Sequence, residues 1–124
     1  MAWGSKVSAT QLTSITTEQF FSFGGSTVIP LNPGETAKVQ VTADFPTTPT
    51  DHAVVAIYGT LDDSSETWDL VPHIEFLIDK ALDPSIVSFL VSGLYRFRIG
   101  IRRSGTTDTI TDADCSYRKN GVSL

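Results

Sequence analysis

Residues 94–103 read LYRFRIGIRR. Tyr95, Phe97, Ile99 and Ile101 share one parity, and Arg96, Arg98 and Arg102 share the other. Strict alternation of apolar and charged side chains is the period of a β-strand with one face on a core and one in water. The stretch 36–45, TAKVQVTADF, repeats the pattern: Ala37, Val39, Val41 and Ala43 point one way, and Lys38, Gln40, Thr42 and Asp44 the other. Two strands wet on one side imply antiparallel sheets packed over a shared core.

Working outward, the same reading predicts strands over 27–31, 53–61, 68–78, 85–91 and 109–118, which makes seven, with no helix of ten residues or more. Segment 53–61 is almost wholly apolar and suits a strand covered on both faces. Asn32-Pro33-Gly34-Glu35 predicts a type II turn, in which Pro33 presets φ and Gly34 takes the positive φ. Pro72 cannot donate to a ladder and so implies an edge or a bulge within 68–78. The fold class is therefore all-β, a single antiparallel β-sandwich of about seven or eight strands. Seven strands fit an immunoglobulin-like sandwich, and an eighth drawn from the amino-terminal segment fits a jelly roll. The sandwich domain spans 27–124. Residues 1–26 lack this alternation and read as an arm or first strand, in which Phe20, Phe21 and Phe23 are too close together to share one strand face.

At 124 residues the chain suits one domain able to bury a sizeable core. Apolar residues make up 40% and charged ones 19%, with 16 Thr and 13 Ser filling the gap, a composition that suits strands and turns. The net charge of −5 disfavours nucleic acid as a partner. The charges are also segregated. Residues 44–83 hold nine acids against Lys80 alone, whereas six bases against three acids lie from Arg96 onward. Such asymmetry fits contacts between copies, a basic face of one meeting acidic groups of the next; its alternative is two solvated faces of opposite sign.

Cys115 is the lone cysteine, so no internal disulfide forms. Its strand pattern suits a buried, inert thiol. The opening MAWGSKVSATQLTS lacks the apolar run of a signal peptide and predicts folding in a reducing cytoplasm. No stretch is apolar and long enough for a membrane helix. His52 and His73 lack companions at metal-ligand spacing. Asp62-Asp63-Ser64-Ser65-Glu66 is acidic but lacks the order of a calcium loop. Asp112 and Asp114 share a strand face without a third group. Nucleophile-elbow, phosphate-loop and zinc-helix motifs do not occur. These readings predict no enzyme, no catalytic residue, no metal and no cofactor. Tyr58 and Trp68, with Trp3, are the aromatics that a sugar-stacking β-sandwich would expose, which keeps a carbohydrate-binding or adhesin-like module as an alternative.

Four stretches carry a resemblance: Met1-Ala2-Trp3-Gly4; LNPGETAKVQVTADFP at 31–46; YGTLDDSSETWD at 58–69; and VSFLVSGLYRFRIGIRRSGTTDTIT at 87–111 with YRKNGVSL at 117–124. Together they resemble small virion proteins of tailed bacteriophages, in particular capsid decoration or cement proteins. The resemblance implies a non-enzymatic protein, often a homotrimer, that binds the major capsid protein on the capsid surface and ties capsomers together. Candidate assembly contacts are then Trp3, Phe20, Phe21 and Phe23 on the arm, and Arg96, Arg98, Arg102 and Arg103 on the basic strand. A tail, neck or fibre-base component is the rival virion role.

Overall fold

A computed structural model describes residues 3–61, 68–81, 85–93 and 95–120. Ten strands run through the chain: β1 (Val7–Ser8), β2 (Leu12–Ile15), β3 (Gln19–Phe20), β4 (Ile29–Pro30), β5 (Thr36–Asp44), β6 (Ala53–Thr60), β7 (Ile74–Ile78), β8 (Ser85–Val91), β9 (Arg96–Arg103) and β10 (Ile110–Asn120). All pair antiparallel, in two sheets of five. In sheet A, β10 pairs with β5 and β5 with β8, while β1 and β2 lie along the other edge of β10. In sheet B, β9 pairs with β6 and β6 with β7, while β3 and β4 lie along the other edge of β9. When β1–β2 and β3–β4 are each taken as one interrupted strand, the lanes run 1-8-3-6 and 2-7-4-5. That order is a jelly roll, which decides between the two sandwich types the sequence allowed.

The core lies between the sheets and follows the alternation. Ala37, Val39, Val41 and Ala43 from β5 meet Phe97, Ile99 and Ile101 from β9 and Val55 and Ile57 from β6, all buried. Strand β6 is central in sheet B, and every residue but Tyr58 is buried, as its apolar run demands. The turn at Asn32 forms as expected: Gly34 has φ +83°, and the Glu35 N–H donates to the Asn32 carbonyl at 2.9 Å.

One strand starts later than the sequence suggests. The segment expected as strand from residue 68 joins the ladder only at Ile74. Before that, the Asp69 and His73 N–H groups donate to the Gly59 and Ile57 carbonyls at 3.0 and 2.7 Å, and Pro72, which has no N–H to give, lies between them. Strand β7 is an edge, as Pro72 implied.

The amino-terminal segment is knitted into both sheets. Val7 pairs with Tyr117, Leu12 with Ala113 and Phe20 with Gly100. Phe21 and Phe23 enter the core, and Phe23 meets Tyr117 edge to face at 4.9 Å between centroids. Gly24 and Gly25, both at positive φ, turn the chain between Phe23 and Ser26.

A carboxylate clasp locks one end of the sandwich. Buried Asp51 accepts the N–H groups of Thr107 and Asp108 through Oδ2, at 3.0 and 2.9 Å. Asp108 returns the bond, accepting the N–H groups of Thr50 and Asp51. Gly105 packs so closely on the Asp51 carboxylate that a Cβ there would collide with it. The N–H bonds from Asp51 and Thr50 hold the Asp108 carboxyl below its ordinary value.

Candidate interaction surfaces

Arg96, Arg98 and Arg102 of β9 lie on the outer face of sheet B, Arg103 ends the strand on the opposite parity, and this chain itself engages the side chains of Arg98, Arg102 and Arg103. The Arg98 guanidinium sits 4.2 Å from the Phe20 ring centroid, 4.7 Å from Trp68 and 5.6 Å from Tyr58. Its Nε is buried without a hydrogen-bond partner, so the ring faces supply its stabilisation. The Tyr58 hydroxyl donates to the Glu18 carboxylate at 2.9 Å. Burial and that bond push the Tyr58 hydroxyl up to about 12. Gly100 makes the cluster possible, because a Cβ there would stand 3.1 Å from the Phe20 ring and 3.2 Å from the Glu18 carboxyl. Arg102 pairs with Glu75 at 2.7 Å. Arg103 donates to the Asp108 carbonyl at 2.8 Å, and Arg96, half-buried, lies between Thr60 and Pro30 in the ladder.

The sequence-marked residues thus sort by place. Phe20, Tyr58 and Trp68 come together around Arg98 as a half-buried cluster, not as a flat exposed aromatic platform. Phe21 and Phe23 belong to the core. Trp3 stands apart on the outer face of sheet A, 38% exposed, over a groove of about 430 Å³ that Lys6, Lys38, Gln40 and Arg118 help to line. Arg118 donates to the Gly4 carbonyl at 2.9 Å and so fixes the chain beside Trp3.

His52 accepts the Lys80 N–H at 3.1 Å and lies 3.6 Å from Asp79, and His73 is exposed. Among the described residues, no three His, Cys, Asp or Glu side chains gather as a metal site would require. Among the described residues no helix is long and apolar enough to cross a membrane. The acidic run at 62–66 lies outside the described residues. Cys115 is buried, and burial pushes its thiol well above the ordinary range.

The apolar exposure is concentrated. Of ten exposed large hydrophobic residues among those described, seven (Leu61, Leu70, Val71, Ile74, Leu77, Ile86 and Leu90) lie between the end of β6 and the end of β8. Strands β7 and β8 are the last strands of their sheets, on the same side of the sandwich, with Phe76 stacked on Phe89 at 4.2 Å between them. Among the described residues neither outer edge carries another strand. Strand β8, SIVSFLV, has no charge and no proline. Edges in solitary proteins are ordinarily blunted by such residues, by bulges or by a covering segment. The sequence marked the edge of β7 through Pro72 but not that of β8, because no local pattern in β8 encodes its outermost place.

No protein-family model matches the chain, and no curated protein does. Among solved structures, the chain is similar to one from Bacillus endospore appendages, described as forming a novel family of disulfide-linked pili. The likeness covers 99% of this chain and 93% of that one, with a TM-score of 0.55 and 16% sequence identity. It is a likeness of fold.

Proposed function

We propose that this chain is a non-enzymatic structural subunit of a many-copy assembly, acting through its surfaces. The observation that carries the reading is the uncharged outer edge of β8, on which no further strand lies among the described residues, beside the edge of β7 and flanked by exposed Leu70, Leu77 and Leu90. An open edge offers a row of N–H and C=O groups to a strand of another chain, and the apolar side chains around it gain burial when that chain arrives.

Two assemblies suit the subunit. Decoration of a tailed-phage capsid, with the major capsid protein as partner, is what the resemblance of the sequence implies. A filament gains support from the fold shared with the endospore appendage protein. A filament of this chain would not be joined by disulfides, since its single cysteine is buried in the core.

Light scattering and negative-stain microscopy of the purified chain test the proposal. Many-copy species that shrink when Ile74 and Leu77 are both replaced by Lys support it. Filaments formed by the chain alone favour the pilus-like reading, and small closed rings that bind expanded phage shells favour decoration. A monomer at milligram concentrations that ignores such shells overturns both.

A further inference from the structure

The outer face of sheet A carries two like-charged pairs in an ordered arrangement. The register of β5 against β10 sets Lys38 directly beside Arg118, and Asp44 directly beside Asp112. Like charges opposite one another in an antiparallel ladder repel, so each pair costs stability as long as it faces only water. The strain is visible at the acidic end. A hydrogen bond with Asp44 and partial burial push the Asp112 carboxyl up to about 6, and its Oδ1 is buried without a hydrogen-bond partner of its own.

The two pairs are also symmetric. Lys38 and Asp44 lie three residues to either side of Val41, Arg118 and Asp112 lie three to either side of Cys115, and Val41 and Cys115 are themselves ladder partners. We propose that this face pairs with the same face of a second copy, about a two-fold axis that lies between the sheets and crosses the strands at right angles over the row of Val41 and Cys115. That operation lays β5 over β5 and β10 over β10 in opposite directions. Lys38 then faces Asp44 of the second copy, and Arg118 faces Asp112 of the second copy. All four like-charged neighbours acquire opposite-charged partners at once, and the symmetry repeats the exchange at the other end.

The rows between the charges agree with the operation. Gln40 falls opposite Thr42 of the second copy, and Ser116 falls opposite Asp114 of the second copy, so a hydroxyl donor meets a carboxylate acceptor. The groove beneath Trp3, about 430 Å³ and bordered by Lys6, Lys38 and Arg118, lies where the second copy's Asp44 and Asp112 arrive. With strands about 4.8 Å apart and about 20 Å between the two charged rows, the four lanes of sheet A offer on the order of 400 Å² per copy. That is below the area of stable specific interfaces and in the range of weak, transient encounters, so the contact is reversible and governed by charge.

This contact uses the outer face of sheet A, in which β8 is one lane, and not the open edges of β7 and β8, and it goes beyond the reading above. Salt separates the two, because β8 carries no charge. The experiment is sedimentation equilibrium of the full chain at 20 and 500 mM salt, with folding checked by circular dichroism. We expect the Ile74→Lys, Leu77→Lys variant, whose β7–β8 contact is disabled, to approach twice the 13.4 kDa chain mass at low salt, with the dimer weakened at least tenfold at high salt. The double variant Lys38→Glu, Arg118→Glu meets acid with acid, and Asp44→Lys, Asp112→Lys meets base with base, so each alone is monomeric in this contact. Mixed one to one, they form a heterodimer, and the chain carrying all four substitutions dimerises again. A wild-type monomer at low salt, a dimer indifferent to these substitutions, or a mixture that stays monomeric overturns the proposal. Recovery of the mixture while the Ile74→Lys, Leu77→Lys variant forms many-copy species as large as those of wild type leaves this contact standing and removes the other.

Discussion

Replacing Asp51 by Ala removes the carboxylate that accepts the Thr107 and Asp108 N–H groups, both through one oxygen, at the clasped end of the sandwich. A hydrogen bond to a charged group contributes about 1.5–3 kcal/mol net. Thr107 is exposed, so water can reach its freed N–H, and the lower value applies to both bonds, giving a loss of about 3 kcal/mol. A chain of this length unfolds with an entropy of about 0.26 kcal/mol/K, so the thermal midpoint should fall by about 11 °C. Asp51→Asn keeps an acceptor oxygen in the same place without its charge and should lose about half as much. The assay is thermal and urea unfolding of dilute protein followed by tryptophan fluorescence, with the exposed Thr111→Ala as control. A shift below about 2 °C for Asp51→Ala would refute the reasoning, since it would mean that water serves these N–H groups as well as the carboxylate does.

Gly100→Ala should destabilise by about 1–2 kcal/mol, because the new Cβ falls within 3.2 Å of Phe20 and Glu18; loss of the ring contact between Phe20 and Arg98 in a crystal structure would identify the cause. Asp112→Asn should be more stable than wild type at pH 7. The native carboxyl titrates near 6, above its unfolded value, so the wild-type contribution is full below about pH 3.8 and is lost as pH rises through 6; urea titrations of monomeric protein should show the gap closing between pH 6 and 4. Asp108→Asn should behave oppositely, since a depressed carboxyl contributes above its ordinary value and loses that contribution as pH falls. Cys115 should react with a thiol reagent only as fast as the protein opens, a rate that urea should raise in step with unfolding.

The strands with one wet face were legible because their side chains alternate, and β5 and β9 lie where that alternation puts them. The central place of β6 followed from its unbroken apolar run, and the edge position of β7 from Pro72. The short pairings of residues 7–20 were not legible. Two-residue strands such as Val7–Ser8 are too short to show a period, and what holds them is the partner strand. The arginines of β9 were visible as a charged face, but their use was not. Whether Arg98 faces solvent or three aromatic rings depends on Phe20, Tyr58 and Trp68, which belong to three other segments. The paired charges of sheet A were hidden for the same reason: Lys38 and Arg118 are 80 positions apart in the chain and adjacent only in register.

The lane order also fixes when the protein can fold. Strand β10, the last of the described strands, is the middle of sheet A, where Val7 waits for Tyr117 and Leu12 for Ala113. Val7 and Leu12 therefore find their partners only after all the residues between them and β10 have been made. Pairings of this span close slowly. Until β10 arrives, β5 has one edge bare, and β1 and β2 have nothing to join. A chain cut short before residue 110 would keep most of its apolar strands but lack the one that seals them, and it would pass from the ribosome straight to aggregation or proteolysis.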